Sequence, residues 1–132
     1  MRSFHLSSAA IALIAVLAGT SVFAEDDSAD KKCIPLNQIN NIQVLDKQHI
    51  LFRMQGREHF LNTLPNSCGS LHRNKPIMYK TSLSQLCSLD IISVLESYGG
   101  GYYPGASCGL GNFSPISDEE IKALKAELKN RN

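Results

Sequence analysis

The sequence predicts a mainly β domain: a small antiparallel barrel or sandwich of about six strands, stapled by two disulfides, with a C-terminal α-helix. Three observations lead to this fold class. From residue 33 onward, short apolar runs alternate with turn residues at the spacing typical of all-β domains. Four cysteines follow an N-terminal apolar segment, a pattern typical of exported disulfide-bonded domains. Residues 117–132 combine a helix-capping sequence with apolar residues at helical spacing.

The N-terminus has the features of a cleavable export signal. A positive charge at Arg2 precedes the apolar run Ala9–Ala18, which is shorter than the roughly 20 residues needed to span a bilayer. Val22-Phe23-Ala24 fits a signal-peptidase site, so we expect cleavage after Ala24. Thr20 stands where a lipoprotein needs cysteine. The sequence therefore predicts a periplasmic or secreted protein whose mature chain is not embedded in a membrane.

The remaining chain divides into three segments. Residues 25–32 are polar and charged and are predicted to form a disordered leader. Residues 33–116 form the expected β domain, and residues 117–132 the helix packed on it. With 13 Lys and Arg against 12 Asp and Glu, the charge is balanced, and no basic run is interleaved with aromatic residues. This composition argues against a nucleic-acid partner. A core of this size is marginal alone, so the cysteines have a structural role available.

Apolar spacing and turn residues predict the order of the elements. The run Asp90–Leu95 is the most apolar and is the expected central strand. Residues 82–86 are interpreted as a helical turn and residues 97–107 as a glycine-rich loop. A tight turn is expected at Gly56, since glycine tolerates positive φ. The other expected strands are residues 39–45, 49–54, 58–64, 77–81 and 108–113.

The C-terminal helix has the strongest local signals. Ser117 and Glu120 stand at the two positions of a capping box, in which each side chain bonds the other's backbone N–H. Ile116 and Ile121 occupy the positions of a hydrophobic staple. Ile121, Leu124 and Leu128 recur at helical spacing, so a narrow apolar stripe is expected to pack on the β domain.

The cysteines are widely spaced, unlike the tight pairs of a zinc ribbon or a Cys-x-x-Cys redox centre. Disulfides are therefore expected, and four cysteines allow three pairings. The preferred pairing joins Cys68 to Cys87, which clips the strand beginning at Ile77. It also joins Cys33 to Cys108, which links the first and last strands.

Few residues suggest catalysis. The preferred interpretation of His49 and His59 is that they are polar surface residues on a half-exposed sheet. The alternative is that they face each other near the ends of one hairpin, close enough to share a metal ion. Asp90 precedes the most apolar run, and its preferred role is to accept backbone N–H groups near Cys87. The serine-hydrolase pattern Gly-x-Ser-x-Gly is absent. We assign no catalytic residue, metal or cofactor, although a metal-dependent or His/Asp-dependent enzyme remains an alternative.

The most distinctive surface feature is the segment Ser97–Gly105, in which Tyr98, Tyr102 and Tyr103 stand among four glycines. Tyrosine provides a large amphipathic contact surface and is enriched in binding loops. This segment is the candidate binding loop of a non-enzymatic binding or inhibitor module, with an envelope protein or a glycan as partner. The alternative for the segment is a plain connector whose tyrosines lie against the domain. The alternative for the whole protein is a structural role in the envelope.

Several motifs carry a resemblance to a known family. They are Phe60–Leu64, Cys68-Gly69-Ser70-Leu71, Leu86-Cys87-Ser88-Leu89-Asp90-Ile91 and Cys108–Phe113. The chain resembles small secreted proteobacterial proteins of unknown function that have four cysteines and a Leu-Cys-x-x-Asp-x-Ile signature. The resemblance covers Cys33 to about Ser117. The resemblance implies an exported bacterial β domain with paired cysteines. It implies no activity and no catalytic residue for this chain. Members often have glycine at the position of Leu89.

Overall fold

The computed structural model describes residues 29–131. The predicted export signal and its cleavage after Ala24 lie outside the described residues, as does the first half of the predicted leader, residues 25–28. At Lys31 the described chain is already paired, because its backbone N–H and C=O both bond to Phe113. Within residues 29–131, the one helix is too short and too polar to cross a membrane.

The described chain forms nine strands and one α-helix in three antiparallel sheets, which confirms the expected mainly β fold class in its sandwich form. A short 3₁₀ turn, Leu36–Gln38, follows the first strand. The elements are β1 (Cys33–Pro35), β2 (Ile39–Val44), β3 (His49–Met54), β4 (His59–Thr63), β5 (Ile77–Tyr79), β6 (Gln85–Cys87), β7 (Ile91–Tyr98), β8 (Gly101–Gly109), β9 (Phe113–Pro115) and α1 (Asp118–Asn130).

The largest sheet has the order β2-β3-β4-β9. Because side chains alternate along a strand, Ile50, Phe52 and Met54 of β3 enter the main core, while Leu51 faces the other side. The ring of Phe52 meets Phe113 of β9 edge to face, with centroids 5.3 Å apart. This sheet therefore buries both of its faces, one against the second sheet and one against α1.

Helix α1 begins as the sequence predicts. The Ser117 hydroxyl accepts the Glu120 N–H, and the Glu120 carboxylate accepts the Ser117 N–H at 2.8 Å. Those bonds, the backbone one first, hold the pKa of Glu120 below its usual value. Ile121 and Leu128 are buried against Leu51, with Ile116 packed beside them. The capping box and the packed apolar stripe are both confirmed.

The second sheet has the order β5-β7-β8. Its central strand β7 is the run expected to be central, and Ile92 and Val94 are fully buried in the main core. In contrast to the expected last strand at residues 108–113, β8 ends at Gly109 and β9 begins at Phe113. The intervening chain instead packs against β4, where Asn62 bonds both the N–H and the C=O of Gly111.

A third, two-stranded sheet corrects two expectations. Residues 82–86 do not form a helical turn, because Gln85–Cys87 is the strand β6, paired antiparallel with β1. This register places Cys33 directly opposite Cys87, with 4.0 Å between their Cα atoms. The disulfides are therefore Cys33–Cys87 and Cys68–Cys108.

The expected pairing of Cys68 with Cys87 and of Cys33 with Cys108 is wrong. It placed Cys87 where a bridge to Cys68 would clip the strand that begins at Ile77, whereas Cys87 ends β6, which pairs with β1. Cys108 lies in β8, and its Cα stands 6.0 Å from that of Cys68, within the usual disulfide range. Cys33–Cys87 therefore joins the two strands of the third sheet, whereas Cys68–Cys108 joins the segment after β4 to β8.

The turn from β6 into β7 contains a strained residue. Leu89 has φ of 74° and its side chain is 79% exposed. Its N–H donates to the Leu110 carbonyl at 3.0 Å, and Asp90 returns a bond to the Cys87 carbonyl, so the turn is fixed from both sides. Positive φ is the region that glycine occupies freely and leucine does not. This conformation explains why glycine at this position suits the turn.

We expect Leu89→Gly to raise the free energy of unfolding by about 1 kcal/mol, because glycine removes the positive-φ strain without removing a buried contact. Urea unfolding of the two proteins measures the difference. Leu89→Ala is the matched control, since alanine deletes the same exposed side chain but keeps the strain. Equal stability of the glycine and alanine variants would contradict this account.

Candidate functional site

The candidate binding loop is a β-hairpin rather than an irregular loop, which corrects the expectation for residues 97–107. Strands β7 and β8 pair up to Tyr98 and Gly101, and Gly99-Gly100 makes the two-residue turn. Gly99 and Gly100 have φ of 55° and 83°, the pair of positive values that a type I′ turn requires. Two glycines at this point therefore specify a tight hairpin with the tyrosines at its tip.

The register assigns the tyrosines to two faces of this hairpin tip. Tyr98 lies opposite Gly101, and Tyr103 lies opposite Glu96. Because side chains alternate along each strand, Tyr98 and Tyr103 share one face, whereas Tyr102 lies on the other. Tyr98, Gly99 and Tyr103 line an open cleft of about 360 Å³.

The ring of Tyr103 packs over Gly101 of its own strand. A Cβ built at Gly101 lies 3.6 Å from the ring of Tyr103, so the ring covers the glycine at ordinary van der Waals distance. Tyr98, Tyr102 and Tyr103 are 77%, 66% and 59% exposed. The alternative that the tyrosines lie down against the domain therefore does not fit; they stand out from it.

The hairpin is anchored below its tip. Lys75 bonds the Glu96 carboxylate at 2.6 Å, on the face that carries Tyr103. Gly105 allows this contact, because a Cβ there would lie 2.8 Å from the Cγ of Glu96. The Cys68–Cys108 bridge ties the far end of β8 to the main core. The tyrosines are thus presented on a fixed ribbon.

Strand β8 forms an edge of its sheet, and Pro104 limits what that edge can bind. The type I′ turn is closed by Tyr98 and Gly101 as a hydrogen-bonded pair. Pairs alternate along the ladder, so Pro104, opposite Leu95, belongs to a pair whose backbone groups point to the free edge. Proline has no N–H to offer there. The free edge of β8 is therefore poorly suited to pairing with an added strand.

The two histidines do not come together. His49 pairs with Thr63 and His59 pairs with Arg53, so the histidines occupy opposite ends of the β3–β4 ladder. Four residues of strand correspond to roughly 13 Å. The alternative in which they face each other and share a metal ion is therefore wrong. In residues 29–131, His, Cys, Asp and Glu form no group of three that is suited to a metal ion.

Each histidine has a local setting. His49 contacts Asp46 through Nδ1 at 2.9 Å, and Asp46 also accepts the backbone N–H groups of Gln48 and His49. Burial raises the pKa of Asp46, but these hydrogen bonds outweigh burial and leave the pKa below its usual value. His59 is 9% exposed; its Nε2 lies 3.7 Å from Asp118, while its Nδ1 has no hydrogen-bond partner within the described chain.

Asp90 has the structural role preferred from sequence. Its Oδ2 accepts the Cys87 N–H at 2.7 Å, and its backbone C=O accepts the Leu110 N–H at 3.0 Å. The carboxylate therefore closes the turn between β6 and β7. His49, His59 and Asp90 belong to separate parts of the fold and do not assemble a catalytic group.

Comparison with known protein families gives a match that covers almost the whole chain. A family described as a family of unknown function, DUF6491, matches residues 2–132. The chain belongs to this family. The matched residues include all four cysteines and the whole β7–β8 hairpin that carries the three tyrosines. No curated protein and no solved structure matches the chain. The function therefore has to be argued from the geometry of this chain.

Proposed function

We propose that this protein is a non-enzymatic binding module of the bacterial cell envelope, with the tip of the β7–β8 hairpin as its contact surface. The observation that carries the proposal is the exposure of Tyr98, Tyr102 and Tyr103 on an anchored two-stranded ribbon. Large apolar side chains are usually withdrawn from water in a monomeric domain, and clustered exposed ones mark interaction sites. Two disulfides are consistent with the oxidising compartment in which such a module works.

The chemistry of the tip favours a neutral partner with flat surfaces. The nearest charged pair, Lys75 and Glu96, is satisfied internally. Tyrosine rings bury apolar area with little loss of side-chain entropy, and their hydroxyl groups remain available for hydrogen bonds. An envelope protein or a glycan strand offers such surfaces. The cleft between Tyr98 and Tyr103 has room for one inserted group, which makes this face the stronger contact.

We expect replacement of Tyr98, Tyr102 and Tyr103 by alanine to weaken partner binding at least about thirtyfold, since buried tyrosines at interface centres contribute about 2 kcal/mol or more. Purified wild-type protein captures its partner from envelope extract and from isolated envelope glycans, and mass spectrometry identifies what is captured. The affinity of that partner is then measured for wild type and variant.

The hairpin geometry supplies sharper comparisons. Tyr98→Ala/Tyr103→Ala should weaken binding more than Tyr102→Ala, because the first two line the cleft. Leu83→Ala and Leu89→Ala are the matched controls, since these leucines are 63% and 79% exposed but lie off the hairpin. The proposal fails if the triple tyrosine variant binds as the wild type does, or if the leucine controls lose as much affinity.

A further inference from the structure

A second surface, away from the tyrosine hairpin, carries a concentration of positive charge. Two adjoining clefts of about 300 and 170 Å³ lie where the β2–β3 turn meets the segment between β4 and β5. Both are lined by Leu45 and Arg73. Lys47 and His72 complete the rim of the larger cleft, and Lys125 of α1 lines the smaller one. We call these two clefts the basic cleft.

Backbone hydrogen bonds fix the turn that carries Arg73. The Lys75 N–H donates to the His72 carbonyl at 3.0 Å, which makes residues 72–75 a β-turn with Arg73 at its tip. Asn74 takes φ of 61°, a value that asparagine tolerates better than most residues. The Asn74 N–H donates to the Val44 carbonyl at 3.0 Å. The turn is therefore fastened to the end of β2.

The other side of the basic cleft is fastened as well. The Cys68 N–H donates to the Lys47 carbonyl at 2.8 Å, and Cys68 is bridged to Cys108. Lys125 Nζ donates to the Gln43 side chain at 2.8 Å, which holds its charge beside the smaller cleft. The positive groups thus come from three separate segments that are positioned by backbone hydrogen bonds and a disulfide.

Positive charges outnumber negative charges among the residues that line the basic cleft. Among residues 29–131, no carboxylate lies within ion-pair distance of Lys47 or Arg73. Asp46 lines the larger cleft, but its carboxylate is engaged by two backbone N–H groups and the His49 ring. The three cationic residues of the two clefts outnumber this single carboxylate, so the basic cleft presents a net positive field to solvent.

The exposure of the residues that line the basic cleft indicates which class of ligand it can bind. Leu45, Leu71 and Leu128 line it but are only 4%, 0% and 3% exposed, so they offer almost no apolar area. The accessible surface therefore comes from the charged and polar residues around them, through their carbon stems as well as their polar groups. We propose that the basic cleft binds a phosphate group, either free or on a lipid headgroup, with Arg73 and Lys47 as the principal donors. Arginine provides paired N–H groups that match phosphate oxygens.

The test is an NMR titration of isotope-labelled protein with inorganic phosphate at constant ionic strength. We expect saturable shifts of the amide signals of Lys47 and residues 72–74. Arg73→Gln/Lys47→Gln should weaken binding at least about tenfold, since two charge-assisted hydrogen bonds are lost. Arg57→Gln/Lys80→Gln removes two other exposed positive charges and should leave the affinity unchanged.

Vesicles distinguish the sources of the phosphate. Vesicles of phosphatidylglycerol, compared with phosphatidylcholine, test the headgroup, and phosphate titration tests the free anion. Saturable binding in either arm that needs Arg73 and Lys47 supports the proposal. Shifts that sodium chloride reproduces at equal ionic strength, or equal binding by the glutamine variant, would overturn it. The tyrosine variants should bind phosphate normally, so this result is independent of the hairpin proposal.

Discussion

The Cys68→Ala/Cys108→Ala variant should lose about 4 kcal/mol of unfolding free energy relative to the wild-type protein. The bridge closes a loop with a sequence separation of 40 residues, and the chain-entropy model gives a loss of about this size for such a loop. Cys68 is also 2% exposed and packs in the main core. Single domains are usually stable by only about 5–15 kcal/mol, so this loss removes a large fraction of the total.

Urea unfolding without reductant measures the loss. The Cys33→Ala/Cys87→Ala variant is the matched comparison, because its separation of 54 residues predicts nearly the same entropic loss, while both of its cysteines are half-buried. The Cys68 variant should therefore be the less stable of the two. An unfolding midpoint like that of the wild type would contradict the structural role of this bridge.

The disulfide pairing shows where sequence reasoning reaches its limit. Two bridges are predicted by the number and wide spacing of the cysteines together with the predicted export signal. The pairing depends on β6 lying beside β1, a contact between segments about 50 residues apart. The three-residue strand Gln85–Cys87 carries no periodic pattern of its own. The pairing of β1 with β6 therefore determines which cysteines are joined, and the local sequence does not contain this information.

Local signals succeeded where the structure depends on neighbouring residues. The strand His49–Met54 was predicted with the bounds observed, because its alternation spans one buried face. The cap of α1 was predicted because all of its bonds lie within four residues. By contrast, β8 is rich in glycine and contains proline, both poor strand formers, and pairing with β7 overrides that preference. The Gly99-Gly100 turn was the signal that marks this hairpin.

The two candidate sites also differ in whether the sequence alone could reveal them. The tyrosine cluster could be found from sequence, because Tyr98, Tyr102 and Tyr103 are close along the chain. The basic cleft could not, since Lys47, Arg73 and Lys125 are brought together only by the fold. Asn62 was missed for a similar reason: its partner Gly111 is 49 residues away.

The contact between Asn62 and Gly111 leads to the second large effect. Asn62 is fully buried, and its side-chain amide bonds the Gly111 C=O at 2.7 Å and N–H at 2.8 Å. The amide thereby satisfies backbone groups that would otherwise be buried without partners between β8 and β9. This arrangement requires Gly111 to approach the end of β4 very closely.

We expect Gly111→Ala to lower the free energy of unfolding by about 3–5 kcal/mol. A Cβ at this position would lie 2.1 Å from the carbonyl oxygen of Thr63, a fixed backbone atom that cannot swing away as a side chain can. The chain must shift to relieve the overlap, and the shift also breaks the two bonds from Asn62. Overpacking and the loss of buried hydrogen bonds each contribute about 1–3 kcal/mol.

The neighbouring Gly109 separates this steric cause from a general effect of glycine replacement. A Cβ at Gly109 meets no atom of the described chain within 4 Å, so Gly109→Ala should leave the urea midpoint nearly unchanged. Neither glycine has positive φ, which removes backbone strain as an explanation for a difference between them. Comparable midpoints for the two alanine variants would mean that the end of β4 can move aside. The close contact of Gly111 with Asn62 and Thr63 would then not hold the segment between β8 and β9 rigidly against β4.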